Sequence, residues 1–447
     1  MDIDKGEIAR RAAAAGRSDG TPATPRRRFN PFTALGPGLI TGAADEDPGG
    51  IATHSQAGAQ FGLGMLWTAF LTYPFMAAFQ SVCGRIGRVT GRGLAANIGR
   101  AFPRWVVLTA VALLLLANVL NIAADVAAMG EAAQLVFGGS RHIFTLGLAV
   151  FTLLLQVFVP YHRYVGFLKW MTLTLFSYVA VAFATHIPWT EVVAQTIAPQ
   201  IQLDLATATV VVAVFGTTIS PYLFFWQTSE EVEDVSLHAD EHPLTEHPEE
   251  AEYELKRIGW DTYLGMAYAN GIGFFVMLAT AATLHAAGIT QIQTASQAAM
   301  ALRPLAGDLA FMLFALGIIA TGLLAVPVLA ASAAYALSEA MGWKASLESR
   351  FSEAHGFYGV IGVAILAGVV LDYSPLDPIR ALFWSAVING VIAVPLMAVI
   401  MLVATRKSIM GAFTATPVQR VVGWAAVAIM AAAAGVMFAQ MAGGLPG

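Results

Sequence analysis

Charged residues are scarce in this chain. They make up 12% of its 447 residues, whereas hydrophobic residues make up 57%. This composition and a mean hydropathy of +0.67 lie far outside the range of soluble domains. Cysteine is nearly absent too: Cys83 stands alone, which excludes an internal disulfide and a cysteine-based metal cluster. The chain has no excess of positive charge that would indicate nucleic acid as a partner. It also has no nucleophile–base pair or cofactor motif that would indicate an enzyme.

Apolar runs of about 20 residues recur along the whole chain, each long enough to cross a bilayer as a helix. They predict an all-α polytopic membrane protein with about eleven transmembrane helices. The predicted spans are 34–60, 64–84, 105–136, 143–159, 164–185, 207–228, 260–284, 307–338, 356–372, 380–404 and 420–442. The predicted domains are a disordered cytoplasmic tail (1–33), a first five-helix repeat (34–185), an extracellular loop (186–206), a second five-helix repeat (207–404), and helix 11 with the C-terminus (405–447).

The distribution of Lys and Arg predicts the orientation, because basic residues in short loops stay in the cytoplasm. Of the 24 Lys and Arg residues, twenty fall on the side of the N-terminal tail. We therefore expect a multi-pass protein of the cell (inner) membrane, with its N-terminus in the cytoplasm and its C-terminus outside.

One predicted cytoplasmic loop, 229–255, is strongly acidic. It holds eleven Asp and Glu residues together with His238, His242 and His247. A solvated, flexible loop is one interpretation, and a weak patch that attracts cations is the other. The spacing of its His and carboxylate residues matches no defined metal motif.

Two of the predicted spans are interrupted by Pro and Gly. The first contains 42-GAADEDPGGIATHS-55, and the sixth contains 216-GTTISPY-222. Proline removes a backbone donor and disfavours helical geometry at the residue before it. Interrupted segments at the start of each half of a transporter indicate an inverted repeat with its binding site near the middle of the membrane. A pair of purely structural proline kinks is the alternative.

The chemistry at these breaks favours a hard cation. Asp47 supplies a carboxylate directly at the first break, and an intramembrane carboxylate is a functional-site candidate by default. At the second break, Thr217, Thr218 and Ser220 add hydroxyl and carbonyl oxygens. Oxygen-only sites suit Mg²⁺, Mn²⁺ or Ca²⁺. The divalent cation would be cargo, and no resident cofactor is predicted.

The residues also resemble a known family. The run 36-GPGLITGAADEDPGGIATHSQAGAQFG-62 is similar to helix 1 of the natural-resistance-associated macrophage protein (NRAMP) divalent-metal transporters, with its Asp-Pro-Gly-Asn motif. The resemblance extends through 80-QSVCGRIGRVTGRGLA-95, helix 3 around Asp125, 217-TTISPY-222 and, loosely, 394-VPLMAVIMLVATRKSIMG-411. It implies the inverted-repeat fold of many amino-acid symporters and proton-linked uptake of Mn²⁺ or Fe²⁺.

Carried over by position, the resemblance implies a metal site at Asp47, Gly50, Thr217 and Ser220. Gly50 stands where the motif has Asn, and Ser220-Pro221-Tyr222 stands where the family has Met-Pro-His. A thioether favours transition metals over Mg²⁺ and Ca²⁺, so a serine removes that discrimination. Tyr222 replaces the family's His, and Ala128 stands where the family has an acidic partner of Asp125. Both replacements remove groups that the family uses for proton transfer.

These replacements look like those of the NRAMP-related magnesium transporters, which implies carriage of Mg²⁺ or Mn²⁺ with weak or no proton coupling. The ion would be bound partly hydrated and moved by alternating access. Alternatives are a proton-coupled Mn²⁺/Fe²⁺ transporter, a Na⁺- or H⁺-driven symporter of a small organic solute on the same fold, and a metal sensor using the 229–255 loop.

Other polar residues in the predicted spans have more than one possible role. Asp45, Glu46, Thr218, Tyr222 and Asn389 are candidates for water-mediated or vestibule contacts, and Asp125 for proton coupling. Packing is the alternative for Asn389 and is expected for Tyr222 and Trp226, while interhelical hydrogen bonding is the alternative for Asn118, Asn121 and Asp125. His54 could contact metal or form a gating hydrogen bond. Expected partners are a divalent ion and the lipid bilayer, with the protein acting as a monomer.

Overall fold

The computed structural model describes residues 36–443 except 160–162, 164–165, 167–169, 171, 200–203, 238–241, 348–350 and 374–376. All regular secondary structure in these residues is helical. The first half contains α1 (Pro37–Asp45), α2 (Pro48–Phe61), α3 (Trp67–Thr90), α4 (Leu94–Ala101), α5 (Arg104–Phe137), α6 (Arg141–Phe158), α7 (Phe176–Ala184) and α8 (Trp189–Ile197). The second half contains α9 (Leu205–Thr218), α10 (Pro221–Leu237), α11 (Ala251–Thr280), α12 (Ala295–Ala299), α13 (Arg303–Ala306), α14 (Ala310–Met341), α15 (His355–Asp372), α16 (Pro378–Thr405), α17 (Lys407–Met410) and α18 (Pro417–Met441).

Several short turns of 3₁₀ or π type connect or extend the α-helices. Turns of 3₁₀ type span Gly62–Met65, Thr172–Leu175, Pro248–Glu250, Met300–Leu302 and Gly307–Leu309. A π-helical turn, Ala281–His285, extends α11. Several helices begin at sequence signals for a helix start: Asp377 accepts hydrogen bonds from the first turn of α16, and Thr416 with Gln419 forms a capping box at α18.

Eight helical stretches in the described residues are long and apolar enough to cross a membrane. The number rises to ten if each of two bent pairs counts as one span: α2 with α3, bent by 111°, and the Thr172–Ala184 segment with α8, bent by 116°. The predicted all-α membrane architecture is confirmed, whereas the count of eleven stays a prediction. The predicted tail, 1–33, lies outside the described residues, as do most of 164–171 in the fifth predicted span.

The two predicted breaks occur, and they have the same construction. In each, a helix ends, two non-helical residues follow, and a proline starts the next helix. The residues after α1 and α9 are Glu46 (φ −83°, ψ 62°) and Ile219 (φ −109°, ψ 62°), which share almost the same conformation. Asp47 and Ser220 then precede Pro48 and Pro221. The paired geometry is what two related repeats would give.

Helix α1 is fixed at its start by a carboxylate from another helix. Asp261 of α11 accepts hydrogen bonds from the backbone N–H groups of Gly36 (2.9 Å), Gly38 (2.6 Å) and Leu39 (3.0 Å). Farther along, α1 and α11 touch backbone to backbone, since a Cβ on Gly42 would lie 2.1 Å from the carbonyl oxygen of Gly265. Small residues allow such close helix contacts in membranes. The acidic first break is thereby held at a defined depth against α11.

The prediction of a solvated loop over 229–255 is wrong at both ends, because 229–237 belong to α10 and 251–255 belong to α11. Helix α10 continues to Leu237, and Glu231 is completely buried within it. The polar segment that follows is also attached, because Leu244 and Thr245 donate backbone hydrogen bonds to the carbonyls of Arg88 and Val89 at the end of α3. The low hydropathy of residues 229–237 therefore reflects a buried cluster of charged side chains and not exposure to solvent.

That cluster is centred on Arg257 of α11. Its guanidinium contacts Glu231 at 2.5 Å, Glu254 at 2.8 Å and Asp234 at 3.5 Å. Arg88 of α3, which is fully buried, lies 3.5 Å from the same Glu254. The alternative of a cation-attracting patch stays a prediction, because part of the acidic segment is not described. His238 lies outside the described residues.

Candidate functional site

Asp47 is the N-terminal cap of α2. Its Oδ1 accepts a hydrogen bond from the backbone N–H of Gly50 at 2.7 Å, while its backbone carbonyl accepts from Ile51 at 3.1 Å. Aspartate is among the best N-cap residues because it satisfies a donor that the helix leaves free. The proline at the first helical position has no such donor to satisfy. The local sequence therefore places a carboxylate at the break, 94% buried.

Tyr222 joins the two breaks. Its hydroxyl, on the first turn of α10, donates to the carbonyl oxygen of Ala44 at 3.1 Å and lies 3.4 Å from Asp47 Oδ2. The side chain is 1% exposed. Tyr222 thus has a polar contact that the expectation of simple packing missed. Trp226, one turn later, does pack as expected, against the ring of Tyr335.

The second break offers neutral oxygens. The hydroxyl of Ser220 donates to the carbonyl oxygens of Thr217 (2.6 Å) and Gly216 (3.1 Å), which closes the end of α9. Its proton is thereby used, and its lone pairs stay available. The Thr217 carbonyl has a second lone pair as well. Thr218 Oγ1 is buried and has no hydrogen-bond partner among the described residues.

Asp125 of α5 lies beside the same helix start as Asp47. Its carboxylate, like that of Asp47, interacts electrostatically with the backbone N–H of Gly49, and the two carboxylates interact with each other. Its Oδ2 finds no partner in the described part of the chain, although the side chain is 1% exposed. Two carboxylates from different helices therefore meet the positive end of α2.

Glu46 and Asp45 are buried at the break as well, at 2% and 3% exposure. Within the described residues, Glu46 Oε2 and Asp45 Oδ1 have no hydrogen-bond partner. The nearest cation candidate is His54 of α2, whose Nδ1 lies 3.7 Å from Glu46 Oε1. That distance is too long for a hydrogen bond, and neither ring nitrogen of His54 has a hydrogen-bond partner among the described residues. The two alternatives for His54, a gating hydrogen bond and a metal contact, stay predictions.

Comparison with known proteins identifies the family. The family model described as "Natural resistance-associated macrophage protein-like" (Nramp) matches residues 38–440. The chain belongs to the Nramp family. It is 31% identical over 306 residues to a divalent metal cation transporter MntH of Verminephrobacter eiseniae, a match that spans 64% of each protein, just under two thirds. It is 27% identical to MntH of Klebsiella pneumoniae over 416 residues, 89% of this chain and 91% of that one.

Solved structures show the same fold. A manganese transporter of Eremococcus coleocola, in complex with an aromatic bis-isothiourea compound, superposes with a TM-score of 0.73 at 16% identity, over 96% of this chain and 91% of that one. Mhp1, a nucleobase-cation-symport-1 family transporter, gives 0.58 at 11% identity, over 94% and 96% of the two chains. The predicted inverted-repeat fold and the prediction of a transporter rather than an enzyme are confirmed, in a family that handles divalent metal cations.

Among the remaining candidates of this Nramp member, Asn118 is an interhelical link. Its Nδ2 donates to the carbonyl of Leu329 (2.8 Å) and to Ser332 Oγ (2.7 Å), both on α14. Asn389 of α16 is 4% exposed, and its Oδ1 has no partner among the residues described. Helix α16 packs against α2 and α9, the two helices that flank the breaks. Asn389 is therefore placed on an element beside the site, whereas Asn118 links α5 to α14 through its Nδ2 and keeps a buried Oδ1 that has no partner among the described residues.

The sequence-based interpretation of this Nramp chain missed a polar link between α1 and α10 near the breaks. Thr41 of α1 donates to Gln227 Oε1 of α10 at 2.6 Å, and Gln227 Nε2 lies 3.4 Å from Glu231 Oε1. Together with Asp261, this link connects the half-helix α1 to α10 and α11. One signal could have suggested the contact with Asp261: the N-cap residue of α1 is Gly36, which has no side chain to cap a helix.

Proposed function

We propose that this protein carries Mg²⁺ or Mn²⁺ across the cell (inner) membrane by alternating access, with the ion held partly hydrated between the two breaks. Asp47 is the charged ligand, the Thr217 carbonyl and Ser220 are neutral ligands, and Asn389 and Thr218 contact the ion or its water. The protein works as a monomer, with the N-terminus in the cytoplasm and the C-terminus outside.

The observation that carries this proposal is the set of buried oxygens at the first break. Four carboxylates, those of Asp45, Glu46, Asp47 and Asp125, are each at most 6% exposed. Ionised carboxylates in a membrane interior are costly unless they are paired. Within the described residues no Lys or Arg forms an ion pair with any of them. A divalent cation would supply the missing positive charge.

The same geometry argues against an organic acid as cargo. A helix N-terminus attracts a substrate carboxylate when its N–H groups are free. At α2 the N–H of Gly50 is bonded to Asp47, and that of Gly49 interacts with the carboxylates of Asp47 and Asp125. Proline occupies the first position of both α2 and α10 and offers no N–H. An incoming carboxylate would meet carboxylates instead of donors.

The site offers only oxygen ligands, which favours the hard cations Mg²⁺ and Mn²⁺ over softer metal ions. The position of the family's methionine is Ser220, whose hydroxyl is fixed by the carbonyls of α9. Oxygen ligands suit Mg²⁺, Ca²⁺ and Mn²⁺, and Mg²⁺ usually keeps several of its waters. The glycine at position 50 leaves room for water where the family places an amide.

We expect purified protein in proteoliposomes to take up Mg²⁺ and Mn²⁺, with little acidification of the lumen. The reason is that the family's histidine is Tyr222 here and that Ala128 occupies the position of an acidic partner of Asp125. Flux of Mg²⁺, Mn²⁺ and Ca²⁺ would be measured with an internal pH dye. Acidification that tracks the metal flux would refute uncoupled transport, and absence of metal flux would refute the proposed function itself.

Ser220→Met is expected to move the ion preference toward thiophilic metals. A thioether at this position would add a soft ligand, so competition of Mn²⁺ flux by Cd²⁺ should strengthen by roughly tenfold relative to competition by Mg²⁺. The measurement is the ratio of the two inhibition constants. Thr209→Met, on the same helix α9 but near its start and away from the break, is the matched control. An unchanged ratio for Ser220→Met would remove Ser220 from the ion site.

A further inference from the structure

The hydroxyl of Tyr222 has two acceptors, one on each side of the first break. Its oxygen lies 3.1 Å from the backbone carbonyl oxygen of Ala44, in the last turn of α1, and 3.4 Å from Oδ2 of Asp47, the N-cap of α2. Tyr222 itself belongs to the first turn of α10, just beyond the second break. One buried side chain of the second interrupted helix therefore contacts both halves of the first.

The two acceptors compete for a single proton, because a phenol carries only one O–H hydrogen. Both distances are longer than the usual O–H···O separation of about 2.7–2.8 Å, so neither acceptor holds the proton fully. Rotation of the O–H group points the donor at the Ala44 carbonyl or at Asp47 without moving the ring. The hydroxyl can therefore stabilise the Asp47 carboxylate or leave its Oδ2 free for another partner.

The surroundings of Asp47 make this donor important. Its other oxygen, Oδ1, already accepts from the backbone N–H of Gly50 at 2.7 Å. In the described part of the chain, Tyr222 is the one side chain that donates to Asp47. The carboxylates of Asp45 and Asp125 lie within electrostatic range of the same hydroxyl and bring only further negative charge. A buried carboxylate without a cation or a donor is costly in a membrane, so Oδ2 needs the hydroxyl whenever it has no cation.

The transport cycle contains a step of that kind. A carrier that moves ions in one net direction by alternating access must return across the membrane without its ion. A carrier that exchanges one ion for another crosses loaded in both directions and omits this step. Without coupled protons, the returning site has no added cation on Asp47, and the protein itself must stabilise the carboxylate.

We propose that Tyr222 is a positioning residue for the return of the ion-free carrier: its hydroxyl donates to Oδ2 of Asp47 when the ion leaves and turns to the Ala44 carbonyl when an ion binds. The tyrosine thereby supplies the hydrogen-bond donor that the step requires. This inference rests on the proposed function, because it assumes that Asp47 binds the transported cation and that protons are not coupled to it.

Tyr222→Phe tests the proposal by separating net uptake from exchange. Net uptake of Mn²⁺ into metal-free proteoliposomes should fall roughly tenfold, since a hydrogen bond to a charged group is lost in the ion-free step. Exchange of external labelled Mn²⁺ for internal Mn²⁺ should stay within about twofold of the natural rate. Half-saturation of exchange should not rise, because Oδ2 loses a donor that competes with the ion.

Tyr335→Phe is the matched control. It also removes a buried hydroxyl that donates to a carboxylate, that of Glu233 at 2.5 Å, but this pair lies farther along α10 and joins it to α14. The ratio of exchange to net uptake should stay at its natural value in this variant, and the melting temperature in detergent verifies that both variants fold. An unchanged ratio for Tyr222→Phe would overturn the proposal. A parallel loss of net uptake and exchange with a raised half-saturation would overturn it too, because Tyr222 would then be an ion ligand or a structural residue.

Both transport modes of the natural protein are measured first, which distinguishes this inference from the proposed function. Absence of Mg²⁺ and Mn²⁺ movement in both modes would refute the proposed function and the inference with it. Exchange without net uptake would show that the ion-free carrier does not return, which would refute the inference while leaving the ion site in place. Both modes in the natural protein, with the same ratio in Tyr222→Phe, would refute the inference alone.

Discussion

Asp47→Asn is expected to reduce Mg²⁺ and Mn²⁺ flux in proteoliposomes by roughly 30- to 3,000-fold. Removing one member of a buried, hydrogen-bonded charge pair costs about 2–5 kcal/mol, and this free energy corresponds to a loss of ion affinity over the same range. The substitution is conservative in every other respect. Asparagine caps helices as well as aspartate does, so the bond to the Gly50 N–H can persist. The contact with the Tyr222 hydroxyl can persist too.

The chain provides a matched control for this variant. Asp204 is also an N-cap aspartate, bound to the backbone N–H of Thr207 at 2.7 Å, but it lies at the start of α9 and away from the break. Asp204→Asn should leave the flux unchanged. A folded Asp47→Asn protein that still transports Mg²⁺ and Mn²⁺ at the natural rate would rule out Asp47 as the charged ligand.

The largest effect on stability is expected from Arg257→Met. Arg257 pairs with Glu231, Glu254 and Asp234, of which Glu231 is fully buried. Removal of one partner from a buried ion pair costs about 3–5 kcal/mol because the remaining charge stays buried and unpaired. The free energy of unfolding should fall by this amount, to be followed as a lower melting temperature in detergent.

Lys344→Met is the control for this stability prediction. Lys344 contacts Glu353 at 2.8 Å, but both side chains are more than half exposed. Exposed pairs contribute about 0–1 kcal/mol. If Arg257→Met and Lys344→Met lower the melting temperature equally, the cluster around Arg257 does not stabilise the fold. Metal binding by surviving Arg257→Met protein would show that the ion site does not depend on the cluster.

Local sequence signals were sufficient to locate the breaks. Pro48 and Pro221 lack the N–H that a helix interior needs and disfavour the helical conformation at the residue before them, which favours a helix start at each. Proline alone does not decide this, because Pro74, Pro327 and Pro395 lie inside continuous helices. Asp47 follows from the same rule, because an aspartate before Pro-Gly is a strong N-cap. These features depend on residues adjacent in the chain, which is why no tertiary information was required.

Features that depend on distant residues were not predictable in this way. The directions of Asp45 and Glu46 follow from the φ and ψ angles of the break, which helical periodicity does not give. The link between Asp261 and the start of α1 joins residues more than 220 positions apart. Residues 229–237 were misassigned because a buried ionic cluster and a solvated loop have the same low hydropathy.

One carboxylate holding three backbone N–H groups has a consequence for how α1 moves. The bonds of Gly36, Gly38 and Leu39 all end on Asp261, so they cannot be given up one at a time by separate side chains. When the Asp261 side chain turns away, all three are lost together, and when it returns they form together. The start of α1 therefore depends on a single side chain, and its three hydrogen bonds stand or fall as one group.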